Sequence, residues 1–454
     1  MKRRLALGAA LGCAMVAARA GAQESPPPAP LGTVTAGPWT LTPVVEVRVR
    51  GEYRHDLDAY ATDDRGLLVE RARLGLDASD DALQARVVLQ DARALDLTPS
   101  APVITGPAPV ALTGAYEAWG EAHTPGLYPS FVRIGRQPVS WGEGRLLGIA
   151  DESPAGRSLD AVRGRLAIGA VSVEALAAVL TDPSAGATID AYGELLGARL
   201  EWAFDPLFKL EAYALARFAQ ANPIDSFEGS VLGETYTGSL RAFGDSYAWT
   251  WGVEGAGQLG RAQALGEDRA AWAAAGHVAR VFDRGMFTPS VRVGGAFASG
   301  SGSGTTYGTF DPILPDVSTW HGAMDAFAWS NEAEADARAT ATPSSQTGLA
   351  LEYRYARLVQ AGGPWRTDYL TTIGSASGNR SAELGHEIDA AFTWSPWPPV
   401  DLRMGYSVLL LGAGARAVLQ AEASAMTASA LSSVGSGGPH VSQFAYAQAG
   451  LALY

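Results

Sequence analysis

Residues 43–53 read PVVEVRVRGEY. Successive side chains of an extended strand point to opposite sides. Val45, Val47, Val49 and Tyr53 therefore share one face, and Glu46, Arg48, Arg50 and Glu52 share the other. Two architectures fit such a strand. In a soluble sandwich the apolar face lies in the core and the charges meet water; in a membrane barrel the apolar face meets lipid and the charges line a lumen. The surrounding sequence decides between them.

The arrangement recurs along the chain. Arg71, Arg73 and Asp77 alternate with Ala72, Leu74 and Leu76, and Gln84, Arg86 and Gln90 with Leu83, Ala85, Val87 and Leu89. Arg199 and Glu201 oppose Ala198, Leu200 and Trp202; Lys209, Glu211 and Arg217 oppose Leu210, Ala212 and Ala214. Further strands are expected near 166–180, 190–203, 207–218, 246–258, 269–282, 286–299, 400–413 and 441–454. Ala273 to Val281 is alanine-rich and has helical propensity, yet its neighbours favour strand. The count is about eighteen strands, each with its connection, which suits short turns at one end and longer loops at the other.

The chain begins with Lys2, Arg3 and Arg4, an apolar run from Leu5 to Ala18, and Ala20-Gly21-Ala22. These are the parts of a secretory signal peptide over residues 1–22, cut before Gln23. Cys13, the only cysteine, falls inside it, so the exported chain needs no disulfide framework. Acylation of Cys13 is disfavoured because Ala10-Leu11-Gly12 fits a lipobox poorly. Residues 23–42 form a Pro-rich periplasmic lead-in, and 43–454 form one domain. Losing Lys2, Arg3, Arg4 and Arg19 shifts the net charge from −13 to −17, which argues against nucleic acid as a partner. Hydrophobic content is 47%, yet no exported segment reads as a spanning helix. In hydrocarbon only helices and closed barrels satisfy every backbone group. The fold class expected is all-β, a transmembrane antiparallel β-barrel.

One region departs from plain strand. Phe131 to Leu166 contains a strand, then Gly135-Arg136-Gln137, Trp141-Gly142, a Gly/Asp/Pro-rich loop and a second strand opening near Ser158. Its pattern, G-R-Q-x-x-x-W-G-x-x-R followed by G-R-S-x-D-x-x-R, resembles the core signature of the alginate-export family of outer-membrane porins. Leu159 stands where that family has Phe. Three further stretches look like the same family: QDARAL (90–95), FASG with TFDPILPDVSTWHGAMDAFAWSN (297–300 and 309–331), and ELGHEID (383–389). In the second of these Trp320-His321 is slightly displaced. The resemblance implies a monomeric barrel in the outer membrane of a Gram-negative bacterium. It would sit in outer-membrane lipid and pass an anionic, alginate-like polyuronate out of the periplasm, with periplasmic export components as partners.

Guanidinium forks match carboxylates, and rings of arginine favour anions in a pore. Lumen candidates are Arg48, Arg50, Arg71, Arg73, Arg86, Arg133, Arg163 and Arg354. Arg136, Arg145 and Arg157 fall in the family motif and are expected to order its loop or a constriction. Glu46, Glu52, Glu117, Asp160 and Glu352 are their acidic partners. A charge ladder that merely neutralises a wide polar lumen remains the bland alternative. Within the channel class the alternative is a porin for small anions or nutrients. A barrel hydrolase is the remoter reading, with His386 and Asp389 as its only pairing. Gly300 to Gly304 fits G-x-S-x-G but lies in a Gly/Ser-rich spacer rather than a strand-turn-helix. The six histidines lack metal-ligand spacing, and Asp311, Asp316 and Asp325 lack the spacing of a calcium loop. No catalytic residue, metal or cofactor is assigned. Trp119, Trp141, Trp202, Trp249, Trp251, Trp394 and Trp397 are expected in interface girdles.

Overall fold

A computed structural model describes residues 32–453, apart from 56–63, 99–105, 108–109, 124–129, 182–191, 220–232, 247, 263–266, 283–286, 303–305, 371, 375–379 and 428–440. The expected signal peptide, most of the lead-in and the C-terminal Tyr454 lie outside the described residues. The strands run β1 Val34–Ala36, β2 Trp39–His55, β3 Asp64–Ser79, β4 Leu83–Asp96, β5 Val110–His123, β6 Phe131–Gln137, β7 Leu159–Ile168 and β8 Val171–Thr181. They continue with β9 Tyr192–Asp205, β10 Phe208–Ala219, β11 Gly233–Asp245, β12 Trp249–Ala262, β13 Glu267–Val281, β14 Ser290–Ala298 and β15 Thr306–Tyr307. Then come β16 Glu332–Ser344, β17 Thr347–Leu358, β18 Trp365–Arg366, β19 Thr372–Gly374, β20 Glu383–Trp397, β21 Val400–Leu411, helix α1 Ala413–Thr427 and β22 Val441–Leu453.

All but β1, β15, β18 and β19 pair antiparallel with both neighbours, and β22 returns to pair with β2. Eighteen strands thus close into a tube with no open edge, as lipid requires. The alternation of residues 43–53 is resolved in favour of the barrel. Glu46, Arg48, Arg50 and Glu52 are buried inside, while Val47, Val49 and Tyr53 are exposed on the outer wall. Arg71 and Arg73 are buried and Leu74 is 65% exposed, so the same inversion holds one strand on. The turns at Asp80 and Asp205 are tight because each carboxylate accepts two backbone N–H groups at 2.7–2.9 Å. These short turns mark the periplasmic end. Beside them Trp202 stacks on Phe204 at 4.2 Å, and Phe208 stacks on Trp251 at 6.1 Å, as an outward aromatic belt.

Several boundaries differ from expectation. The first long strand opens at Trp39 rather than Pro43, and Val34–Ala36 folds back onto it. Residues 166–180 are not one strand, since Gly169 (φ 59°) turns the chain between β7 and β8. Strand β11 escapes a charge-alternation reading because three of its inward residues, Thr235, Thr237 and Ser239, are small and neutral, and Arg241 is the buried charge among them. Helix α1 was not expected either. Its Ala415, Val418 and Leu419 pack on Met324, Phe327 and Trp365, so tertiary contact selects it.

Candidate functional site

Two long connections, 138–158 between β6 and β7 and 299–331 between β14 and β16, fold into the bore and pair with each other. Leu147 bridges to Leu314, Gly148 N–H donates to Leu314 O at 2.8 Å, and Leu314 N–H donates to Leu146 O at 2.9 Å. Arg157 clamps the join by donating to Gly148 O at 3.1 Å and to Leu314 O and Pro315 O at 2.8 Å. Asp316 accepts Ala150 N–H at 2.6 Å, and a Cβ on Gly148 would come within 2.5 Å of its carboxyl carbon. Only glycine permits that approach. Trp141, Leu146, Leu147, Phe310, Ile313 and Leu314 then pack on an apolar stretch of inner wall that includes Leu176, Leu195 and Leu215. Each such side chain contributes about 1.5–3 kcal/mol when fully buried, so this plug is fixed to one side of the bore.

The opposite wall is charged. Arg48 donates to Asp151 O at 2.9 Å and Ser153 O at 2.7 Å. Arg71 donates to Asp151 O at 2.9 Å and lies 3.1 Å from its carboxylate. Arg73 reaches the same carboxylate at 3.2 Å, with its guanidinium 3.5 Å above the Tyr116 ring. Glu46 joins Arg71 at 2.8 Å to Arg73 at 3.0 Å. Glu152 sits among Arg403 (3.4 Å), Arg50 (3.8 Å) and Arg48 (3.9 Å). Burial pushes both loop carboxyls up, but Arg71, Arg48 and Arg73 outweigh it at Asp151, and Arg403, Arg48 and Arg50 at Glu152. Both end below the ordinary carboxylate range. A second network holds Arg354 to Glu334 and Glu352 at 2.6 Å each, Arg338 to Glu352 at 2.9 Å, and Arg292 to Asp336 at 2.6 Å.

Between plug and charged wall lies a cavity of about 480 Å³, lined by Arg50, Glu152, Arg338, Glu352, Arg403 and Tyr446. Its outer roof is Ser318, Thr319, Gly322 and Ala323, and its rim reaches Val281, Ser290 and Gly348 beside the short turns. The cavity thus reaches toward the short-turn end and is roofed by these residues on its other side.

A family model for alginate export matches residues 41–429. The chain belongs to the alginate export family. It is an outer-membrane channel of the Gram-negative type, and family and fold point to transport rather than catalysis. Among solved structures the alginate-export barrel is similar to Acinetobacter baumannii OccAB1 (TM-score 0.60, 9% identity, covering 95% of this chain and 100% of that one). It is also similar to Pseudomonas aeruginosa OccK2, solved in complex with glucuronate (0.56, 10%, 91% and 97%), and to OpdK from the same organism, solved with vanillate (0.56, 9%, 90% and 98%). No curated relative matches with significance.

Most of the expected site residues of this alginate-export barrel face the lumen, each with a partner. Arg50 meets Glu52 at 2.9 Å, Arg86 meets Glu117 at 3.1 Å and Arg163 meets Glu174 at 2.6 Å. Arg133 pairs with Glu121 and lies 3.8 Å over Trp119. Arg145 is buried in the plug, 4.1 Å over Trp320 and 3.6 Å from Glu143. Arg136 and Asp160 are the exceptions. They pair at 2.9 Å, but their register runs from exposed Ala118 to exposed Val179, with Val132, Ile134 and Val162 on the same side. That parity puts both on the outer wall, not in the lumen. Trp119 and Trp141 also depart from the girdle, being buried inside and donating to Glu117 at 2.7 Å and Glu174 at 2.9 Å. His386 and Asp389 sit on opposite faces of β20, His386 against outward Tyr353 (2.8 Å) and Asp389 on the cavity, so they make no pair. Ser301 accepts Gly308 N–H at 2.9 Å and Thr309 N–H at 3.1 Å, which makes it a loop tie. Among the described residues no cluster of His, Cys, Asp and Glu has the makings of a metal site. One oxygen each of Asp311 and Asp325 is taken up by Arg217 (2.7 Å) and Arg54 (3.2 Å).

The sequence reading missed Arg292, Arg338 and Arg403. Arg292 is a lone charge in its strand, whereas Arg338 follows Glu334 and Asp336 and Arg403 follows Asp401; inward parity, counted from known strand ends, would have found all three.

Proposed function

We propose that the channel carries sugars bearing carboxylates, uronates above all, along its arginine-rich wall. One observation carries this reading: Arg403, Arg50 and Arg48 converge on the Glu152 carboxylate, and Arg71 and Arg73 on that of Asp151, whose backbone carbonyl accepts from Arg48, both residues of the chain's own inward loop. These carboxylates occupy a place suited to a passing uronate, which would exchange with them by swapping one charge-assisted contact for another. The cavity beside them admits a single sugar or a short stretch of polymer. The family match and the glucuronate and vanillate held by two similar barrels support the same chemistry. One closed barrel encloses the whole path, so we take the conducting unit to be a monomer.

Planar-bilayer recording tests the reading. Arg50→Ala with Arg403→Ala is expected to move the reversal potential in a salt gradient away from anion preference and to weaken block by glucuronate. Glu152→Gln is expected to strengthen that block, because it removes the internal competitor. Selectivity and block indifferent to both changes would defeat the proposal.

A second reading, passage of a whole polyuronate, is favoured by the family match. It requires the inward loops to yield, because the cavity is too short for a continuous chain. Long-lived block of single-channel current by polyuronate, released by voltage, would support it; block by glucuronate alone favours the small-solute porin.

A further inference from the structure

We propose that Ser318–Ala323 is a strap that gates the bore, shutting the cavity from the outer mouth by polar contacts while the plug beneath stays fixed. The inference presupposes a channel but not the identity of its solute. Four residues of the strap form the cavity's roof. The strap starts at Ser318 (φ 54°) and is followed two residues on by Asp325 (φ 58°), both non-glycine residues held in the left-handed region. Such residues persist only where their surroundings enforce them, and they concentrate at moving parts.

Apart from Trp320, buried beneath Arg145, and Ala323, packed at the edge of an apolar cluster, the anchors differ in kind from those of the plug. The plug is held by backbone bridges and buried apolar side chains. The strap's backbone is held by side chains. Ser318 N–H donates to Asp368, Met324 N–H to Glu387 at 3.0 Å, and Arg54 donates to Met324 O at 3.1 Å. The Ser318 hydroxyl donates to Asp325, Trp320 Nε1 donates to Glu143 O at 2.8 Å, and His321 lies 3.1 Å from Glu334. Water replaces contacts of this sort at small net change in free energy, whereas nothing replaces the apolar packing of the plug. The closed strap also has a standing penalty. A Cβ on Gly322 would stand 2.5–2.7 Å from the Glu387 carboxylate, so the strap rests directly on that group. Beneath it the carboxyl groups of Glu387 and Asp389 hydrogen-bond to each other, two buried acids enclosed side by side. Enclosed carboxyl groups recover hydration when their cover lifts. Strained ends, exchangeable anchors and enclosed acids together make an element with two accessible positions.

A cysteine pair tests it. Apart from Cys13 the chain has no cysteine, so Ser318→Cys with Asp368→Cys has no competing partner downstream. Oxidation is expected to abolish potassium chloride current in planar bilayers, and reductant to restore it. Asp368→Ala and Gly322→Ala, which release or unseat the strap, are expected to raise conductance. Retention of heat-modifiable gel migration identifies variants whose barrel is folded. If the verified disulfide leaves current unchanged, or if both single variants conduct like the parent, the strap is a static roof and the proposal falls. Should the thiols fail to pair, the two single variants decide. Chloride carries the current, so a barrel indifferent to glucuronate would sink the solute proposal and leave this one standing.

Discussion

At Asp151 three guanidiniums outweigh the penalty of enclosing a carboxylate, and the pH dependence follows from the sign. The folded carboxyl is depressed by Arg71, Arg48 and Arg73 against the opposing pull of burial. Its contribution to holding the 138–158 loop is therefore complete above an unfolded value of about 3.9 and is lost as pH falls toward the folded value. Protease cleavage of that loop should increase on acidification in the parent. In Asp151→Asn it should be higher at neutral pH and flatter across the range. A parent profile flat from neutral to acid would contradict the assignment. Replacing Arg71 and Arg73 together by alanine frees Glu46 and Asp151 from their partners, and anion preference in bilayer recordings should fall. Much at this scale was legible beforehand: alternation alone put Arg48, Arg50, Arg71 and Arg73 on the face opposite their apolar neighbours. Arg136 and Asp160 were not, because a motif fixes identity and spacing but not the parity of a strand's last residue, where Gly135 (φ 123°) interrupts the pleat.

Among the elements, the strands announced themselves and the inward loops did not. A strand in lipid must expose apolar and hide polar side chains at every second position, so Val45 to Tyr53 betrays its environment. A loop folded into a lumen obeys no period. Trp141, Leu147 and Phe310 look like ordinary loop hydrophobics until the wall they cover, Leu176, Leu195 and Leu215, is seen opposite. The anchoring of the plug is open to direct measurement. Leu147 is fully buried, and Leu147→Ala should destabilise the paired loops by about 2–5 kcal/mol. The readout is increased proteolysis at 138–158 with the heat-modifiable barrel retained. An unaltered digestion pattern would mean that the plug does not depend on this packing.

On the scale of the whole molecule, inner and outer faces divide the work. The outside is apolar with an aromatic belt near the short turns; inside, an apolar patch holds the plug, and buried charges line the path and flank that patch on its own strands. Circular dichroism should be dominated by strand, and the purified chain should need detergent to stay dispersed; a mainly helical spectrum would overturn the architecture. Deleting Val441–Leu453 should abolish the heat-modifiable species altogether, since β22 closes the tube between β21 and β2. That join has a further consequence. The first and last staves of the cask lie side by side, so seventeen staves leave two raw margins of unpaired amides that hydrocarbon cannot tolerate. Assembly is then all or nothing, and a cell that inspects this one seam has inspected the entire vessel.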